Sequence, residues 1–289
     1  MAETKVGTFV VYCSPAGTTG HVAKVIGQTL AAAGDQVTSL DLGRDRGRAG
    51  EVLRQIADAA GNVCLYIGSP VYSSHALPPV MEFIARLPRR DLGYAVPFVT
   101  WGKATSGLAL YEMGKSLNAQ GFPVIAAAKV VAVHSLMWQV ENPVGQGHPD
   151  AADDAMVRKL VGDVRGKMRG ERPLTPLSDM ALAYQSPAAH EEMMKLNLKV
   201  ARTILPRRLV SEKQCSQCGV CVDECPGGAI TLNPYPVFDD DCCILCFNCM
   251  RLCPLEAISA DLTPIYDRIE MRGRQAAEQP LSQLFLDGD

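Results

Sequence analysis

The chain has 289 residues, 47% of them hydrophobic and 20% charged, which excludes a disordered or fibrous protein and leaves room for more than one packed module. A net charge of −3 argues against a generic nucleic-acid or membrane-surface binder, because either draws on a basic excess. No apolar run reaches the roughly 20 residues that a bilayer span needs, and the opening Met1-Ala2-Glu3-Thr4-Lys5 lacks the pattern of an export signal, so the expectation is a cytoplasmic protein with no membrane span.

Residues 1–170 alternate strand-like and helix-like stretches. Thr8 to Cys13 reads as a strand ending in a Ser/Pro/Gly/Thr loop, and Val22 to Ala33 as a helix closed by Gly34. Val37 to Leu42, Asn62 to Ile67, Ala95 to Thr100 and Pro123 to Val133 are further strands. The helices between and after them are expected at Val52 to Ala60, Pro79 to Leu87, Leu108 to Ala119 and Asp153 to Met168. Five nearly continuous apolar strands imply a parallel sheet covered on both faces. Residues 171–210 form a connector with several prolines and a helix from Ala188 to Leu205, where Met193, Leu196, Val200 and Ile204 recur at helical spacing behind Ser186-Pro187.

Residues 211–260 have little apolar periodicity and need cross-links or metal to hold a fold. Cys13 and Cys64 lie in strand patterns and are expected to be buried, inert thiols; the other nine of the eleven cysteines crowd between Cys215 and Cys253. Cys215-x2-Cys218-x2-Cys221-x3-Cys225-Pro226 recurs, 28 residues on, as Cys243-x2-Cys246-x2-Cys249-x3-Cys253-Pro254, and the likeness extends to Ala229-Ile230 and Ala257-Ile258. This region resembles the bacterial two-cluster ferredoxins. Three cysteines in seven residues can wrap three corners of a cubane, and the fourth, before a turning proline, reaches the other cluster. One [4Fe-4S] cluster is therefore expected on Cys215, Cys218, Cys221 and Cys253, and a second on Cys243, Cys246, Cys249 and Cys225. Structural zinc, the alternative, usually takes two separated ligand pairs. Cys242 reads as a bystander, and nothing in the two motifs distinguishes their potentials.

Open parallel sheets bind ligands beyond the carboxyl ends of their strands. The loop after the first strand, Ser14-Pro15-Ala16-Gly17-Thr18-Thr19, matches neither a dinucleotide nor a nucleoside-triphosphate fingerprint, and leaves hydroxyls and N–H groups at a helix start near His21. It resembles the phosphate loop of flavodoxins: Ser14, Gly17 and Thr19 match, while Ala16 stands where a threonine is usual. That resemblance implies a doubly wound sheet of order 2-1-3-4-5 and bound FMN. It places Ser69, Pro70, Val71 and Tyr72, then Trp101, Gly102 and Lys103, beside the flavin ring, with Tyr72 and Trp101 as stacking faces. His75 is expected on the loop surface. The long loop from Ala132 to Asp150, with His134, Trp138 and His148, could wall a cleft over the ring or act as a lid.

As a whole the chain resembles the fused flavodoxin–ferredoxin iron-sulfur flavoproteins, with a flavodoxin-like domain at 1–170, the connector at 171–210, a small α+β two-cluster domain at 211–260 and a tail at 261–289. The resemblance implies electron transfer, in anaerobic metabolism, between FMN and two clusters. The alternatives are reduction of a small organic acceptor at the flavin and reductive activation of a metalloenzyme or corrinoid protein. Residues 161–210 carry nine basic and five acidic side chains and residues 211–260 two basic and seven acidic ones, so the connector and the cluster region invite docking on each other, or the acidic region on a redox partner with a basic patch.

Overall fold

A computed structural model describes residues 6–275 and 278–286. Five strands, β1 (Gly7–Tyr12), β2 (Val37–Asp41), β3 (Val63–Pro70), β4 (Gly93–Trp101) and β5 (Ala127–Val131), pair in parallel in the order 2-1-3-4-5. β3 is buried at every position, which a nearly continuous apolar run in a doubly covered sheet requires. The period-two alternation of each strand sorts its side chains into two cores. Phe9, Val11, Leu65, Ile67 and Val99 pack against α2 (Ala49–Asp58), α3 (Pro78–Ala85) and α4 (Ala109–Ala119). Val10, Tyr66, Phe98 and Val130 meet α1 (Thr18–Ala32) and α5 (Ala151–Met168) on the other face.

Several expected boundaries move: β5 spans Ala127–Val131 rather than Pro123 to Val133, and α2 Ala49–Asp58 rather than Val52 to Ala60. α1 starts at Thr18 rather than near His21, because Gly17 takes a left-handed φ of 92° and turns the chain straight into the helix. The connector helix is two helices, α6 (Pro187–Lys195) and α7 (Leu198–Ile204). Asn197 is the reason for the break: its side chain accepts the Val200 N–H and caps α7, while Leu196 is extended. The carbonyls of Met193 and Leu196, at the end of α6, accept from Nε2 of His75, whose Nδ1 donates to Glu112 at 2.6 Å. His75 is thus a half-buried clamp on the connector rather than a surface residue.

The cluster region folds into two small antiparallel pairs. β6 (Leu209–Val210) pairs with β9 (Ile258–Ser259), and β7 (Ile230–Leu232) with β8 (Pro236–Phe238). The short helices α8 (Val220–Asp223) and α9 (Asn248–Arg251) complete it. The chain then returns to the first domain: α10 (Thr263–Gln275) leads to β10 (Gln283–Phe285), which adds an antiparallel sixth strand on the β5 edge. Among the described residues no helix is long and apolar enough to cross a membrane.

Candidate functional site

A cavity of about 470 Å³ opens at the carboxyl end of the sheet, where the parallel strands deliver their loops. That volume is in the range of small-molecule and cofactor sites, roughly 300–1,000 Å³. Ala16, Thr18 and Thr19 line it from the first loop, Pro70, Val71 and Tyr72 from the second, and Trp101 and Gly102 from the third. Its other walls include the loop after β5, α7, α10 and, from the cysteine region, Ile244 and Leu245.

The side chains of the first loop are partly committed to the protein itself. Ser14 Oγ accepts the Gly20 N–H at 2.7 Å, and Thr19 Oγ1 shares a buried 2.7 Å hydrogen bond with Thr100. The first intrahelical bond of α1 runs from the His21 N–H to the Gly17 carbonyl, so the N–H groups of Thr18 and Thr19 precede it. An anionic group at this end would therefore meet backbone N–H groups and the Thr18 hydroxyl. The space around Gly17 is open, so its requirement for glycine comes from φ rather than crowding by the protein. Of the expected site residues, Ser14, Pro15, Gly17, Ser69 and Lys103 do not line the cavity. Ser69 is fully buried, its hydroxyl donating to the Pro70 carbonyl and accepting from the Leu77 N–H.

Of the two expected aromatic faces, Trp101 is held from behind: its indole N–H donates to the Leu281 carbonyl of the tail at 2.9 Å, and Lys129 Nζ lies 5.6 Å from its ring centroid. Tyr72 lines the cavity with a buried hydroxyl, and burial pushes its phenol up from the ordinary range. His134 in the β5 loop is half-buried, and desolvation of its ring lowers its pKa to about 4; its Nδ1 accepts the Leu136 N–H, so it stands neutral in the cavity wall. Ala132 to Leu136, from the long loop after β5, line the cavity as one reading of that loop expected, whereas the α7 face and α10 were not legible as site elements because they reach it only through long-range packing.

The eight motif cysteines fall into the two crossed sets. Cys215, Cys218, Cys221 and Cys253 surround one small cavity, and the charges of Cys215, Cys218 and Cys253 act on Cys221, whose pKa is raised chiefly by burial. Burial pushes Cys246 up to about 12, and Cys249, Cys225 and Cys243 add to it as neighbouring charges. Cys218 is exposed in the first set, whereas all four sulfurs of the second belong to buried residues. We refer to these as the outer and inner sets. Among the described residues, the one group of three or more His, Cys, Asp or Glu side chains with ligand atoms all within 4.8 Å is His148, Asp150 and Asp153. No three of the cysteine sulfurs therefore lie within 4.8 Å of one another, whereas four thiolates around one zinc at ~2.3 Å stand ~3.8 Å apart.

The 28-residue repeat is also a repeat of backbone shape. Gln217 and Leu245 have φ of 60° and 59°, Gly219 and Phe247 83° and 56°, Gly228 and Glu256 62° and 50°. Left-handed backbone at Leu245, Phe247 and Glu256 costs about 1–2 kcal/mol per residue, and it persists because the ligand loop demands it. The Ala229 N–H donates to Cys225 Sγ and the Ala257 N–H to Cys253 Sγ, each at 3.3 Å. Cys242 is exposed and belongs to neither set, and Cys13 and Cys64 are buried as expected.

The two modules share a wall. Ile244 and Leu245, between Cys243 and Cys246, line the large cavity, and Ile244 and Cys246 also join the core of the first domain. The connector's charges dock on the same loop: Arg202 donates to the carbonyls of Asp241 and Cys243, and Arg208 to Asp240.

The family described as 4Fe-4S binding domain matches residues 209–231, which include Cys215, Cys218, Cys221 and Cys225. No curated protein matches the chain. Among solved structures, a flavodoxin from the domain Archaea is 20% identical, with 56% of this chain and 97% of that chain covered and a TM-score of 0.41. Two-electron reduced Megasphaera elsdenii flavodoxin is 20% identical, with 52% and 97% covered and a TM-score of 0.36. Rubredoxin oxygen:oxidoreductase from the anaerobe Desulfovibrio gigas is 19% identical, with 56% of this chain but 36% of that chain covered and a TM-score of 0.42. The chain thus joins a doubly wound α/β domain of strand order 2-1-3-4-5 to a small region that the 4Fe-4S binding domain family matches at residues 209–231.

Proposed function

We propose that this protein is an electron-transfer iron-sulfur flavoprotein that binds FMN in the large cavity and two [4Fe-4S] clusters on the crossed cysteine sets. In this reading residues 1–170 are the flavin unit and 211–260 the cluster unit, with 171–210 and the tail closing one on the other. FMN, when bound, exchanges electrons in pairs or singly, and each cubane passes one at a time.

The observation that carries the reading is the shared wall: Ile244 and Leu245 are at once cavity lining and part of the inner cysteine loop. Their side chains keep water out of the narrow space between the two cofactor sites. Thr18 and the first-turn N–H groups would hold the phosphate, Tyr72 and Trp101 would border the ring, and His134, being neutral, adds no charge beside it. The second cluster is supported by the backbone repeat at Leu245, Phe247 and Glu256, which reproduces the first loop with different side chains.

Protein purified and loaded anaerobically should release FMN on denaturation and contain about eight iron and eight sulfide per chain. In stopped-flow with a one-electron reductant, flavin and cluster bands should change in sequence at a rate independent of protein concentration. A rate proportional to concentration, or release of FAD in place of FMN, would refute the proposal.

A further inference from the structure

The two cysteine motifs are alike in sequence, yet the structure surrounds them unequally. Arg208, from the connector, is almost completely buried, with 8% of its side chain exposed, and its Nη1 donates to Cys243 Sγ at 2.6 Å. Its Nη2 donates to Asp240 Oδ1 at 2.6 Å, and its guanidinium lies 4.5 Å from the Phe238 ring centroid, stacked and fixed. A guanidinium is always charged, so Arg208 sets a fixed cation against the Cys243 sulfur. Asp240 is 60% exposed, so water screens its charge, while the arginine faces the sulfur from a desolvated position. The outer set has no counterpart. Twenty-eight residues before Phe238 and Asp240 stand Val210 and Glu212, and among the described residues no arginine donates to Cys215.

Resting on the two-cluster reading above, we propose that Arg208 raises the reduction potential of the inner cluster above that of the outer one, so that an electron entering the chain comes to rest beside the cavity. Reduction adds one electron, from an external one-electron donor, and one negative charge to an already anionic thiolate-bound cluster; no bond is made or broken. A fixed cation hydrogen-bonded to one of the thiolates stabilises the reduced form more than the oxidised form. Burial of the inner set acts in the opposite direction, since it penalises the added charge, and Arg208 is the group that overturns that order.

The test is an EPR-monitored redox titration of the anaerobically loaded full chain, with iron counted in every sample. In the wild type the signal of higher midpoint should survive Cys218→Ala, which disables the outer set. Arg208→Gln should reduce the ratio of reduced to oxidised inner cluster at a fixed potential at least tenfold, a 59 mV fall for one electron, and leave the outer midpoint in place. Arg208→Lys should recover part of the shift. Asp240→Asn, which removes a charge that water screens, should leave the inner midpoint nearly in place, and Arg208→Lys, with a smaller fall, decides the matter if Arg208→Gln loses iron. Eight iron per chain with an unmoved inner midpoint in Arg208→Gln or, should that variant lose iron, in Arg208→Lys, or an equal shift of both clusters, overturns the inference alone. Four iron per chain in the wild type overturns the two-cluster reading and the inference with it.

Discussion

Replacing Glu278 by alanine should detach the tail from the cavity and cost a large part of the stability of the first domain. Lys129 lies on β5 with 2% of its surface exposed, 3.7 Å from a Glu278 carboxylate oxygen and 4.7 Å from the Tyr184 ring centroid. Burial pulls its pKa down, and Glu278 is the group that opposes this. The same carboxylate accepts from the Ser106 N–H at 2.9 Å, from Thr105 Oγ1 at 3.1 Å and from Gln185 Nε2 at 3.3 Å, and also from the Ser106 hydroxyl. Removing one member of a buried ion pair costs about 3–5 kcal/mol, because the other charge is left without compensation. Loss of a proton by Lys129 and entry of water set the upper end, so the separate hydrogen-bond losses do not add to it. At roughly 2–4 °C per kcal/mol, the thermal midpoint should fall by about 10 °C. The decisive comparison is Glu278→Gln with Lys129→Met, which removes the charge from both partners and should recover most of the loss. Thermal scans followed by far-UV circular dichroism on the loaded protein measure both. A single-variant loss below about 1 kcal/mol, or a double variant as unstable as Glu278→Ala, would show that the strap is not held by this pair.

Three further outcomes are expected. Cys225→Ala should lose the iron held with Cys243, Cys246 and Cys249 and retain the set with Cys215, leaving about four iron per chain by elemental analysis; loss of the outer signal in EPR instead would break the crossed pairing. Gly17→Val should weaken FMN binding, measured by quenching of flavin fluorescence, because a β-branched residue at the 92° φ costs about 1–2 kcal/mol, roughly a tenfold loss of affinity, and an unchanged Kd would remove this turn from the site. His75 faces acceptors on both ring nitrogens, so both carry protons, and its pKa is raised by the Glu112 hydrogen bond first and by that residue's charge, with the Leu196 and Met193 carbonyls adding to it against desolvation. Its contribution, about 1–2 kcal/mol for partly solvated partners, should be complete below the unfolded value near 6.5 and vanish as pH rises through the higher folded value. Proteolysis between α6 and α7 should accelerate over that window, and Glu112→Gln should remove the pH dependence.

The parts of this protein written locally were legible without a structure. Apolar runs such as Val63 to Ile67 can be satisfied only inside a covered parallel sheet, and the repeated cysteine spacing restricts the ligand chemistry before any coordinates exist. Helix breaks and starts were less legible where one residue decides them, as Gly17 does for α1 and Asn197 for α7. Only the tertiary structure brought Arg208 to Cys243, His75 to the end of α6, and Glu278 to Lys129 and Ser106, contacts that span from 35 to 172 positions of the chain. None of these has a local period, since each joins elements whose meeting depends on the packing of everything between them. The two cysteine motifs show the division most clearly. Their common spacing prescribes the same loop, down to left-handed backbone at Gln217 and Leu245, but which loop is buried against the sheet, and which receives a cation, depends on the path of the connector and was decided by packing alone.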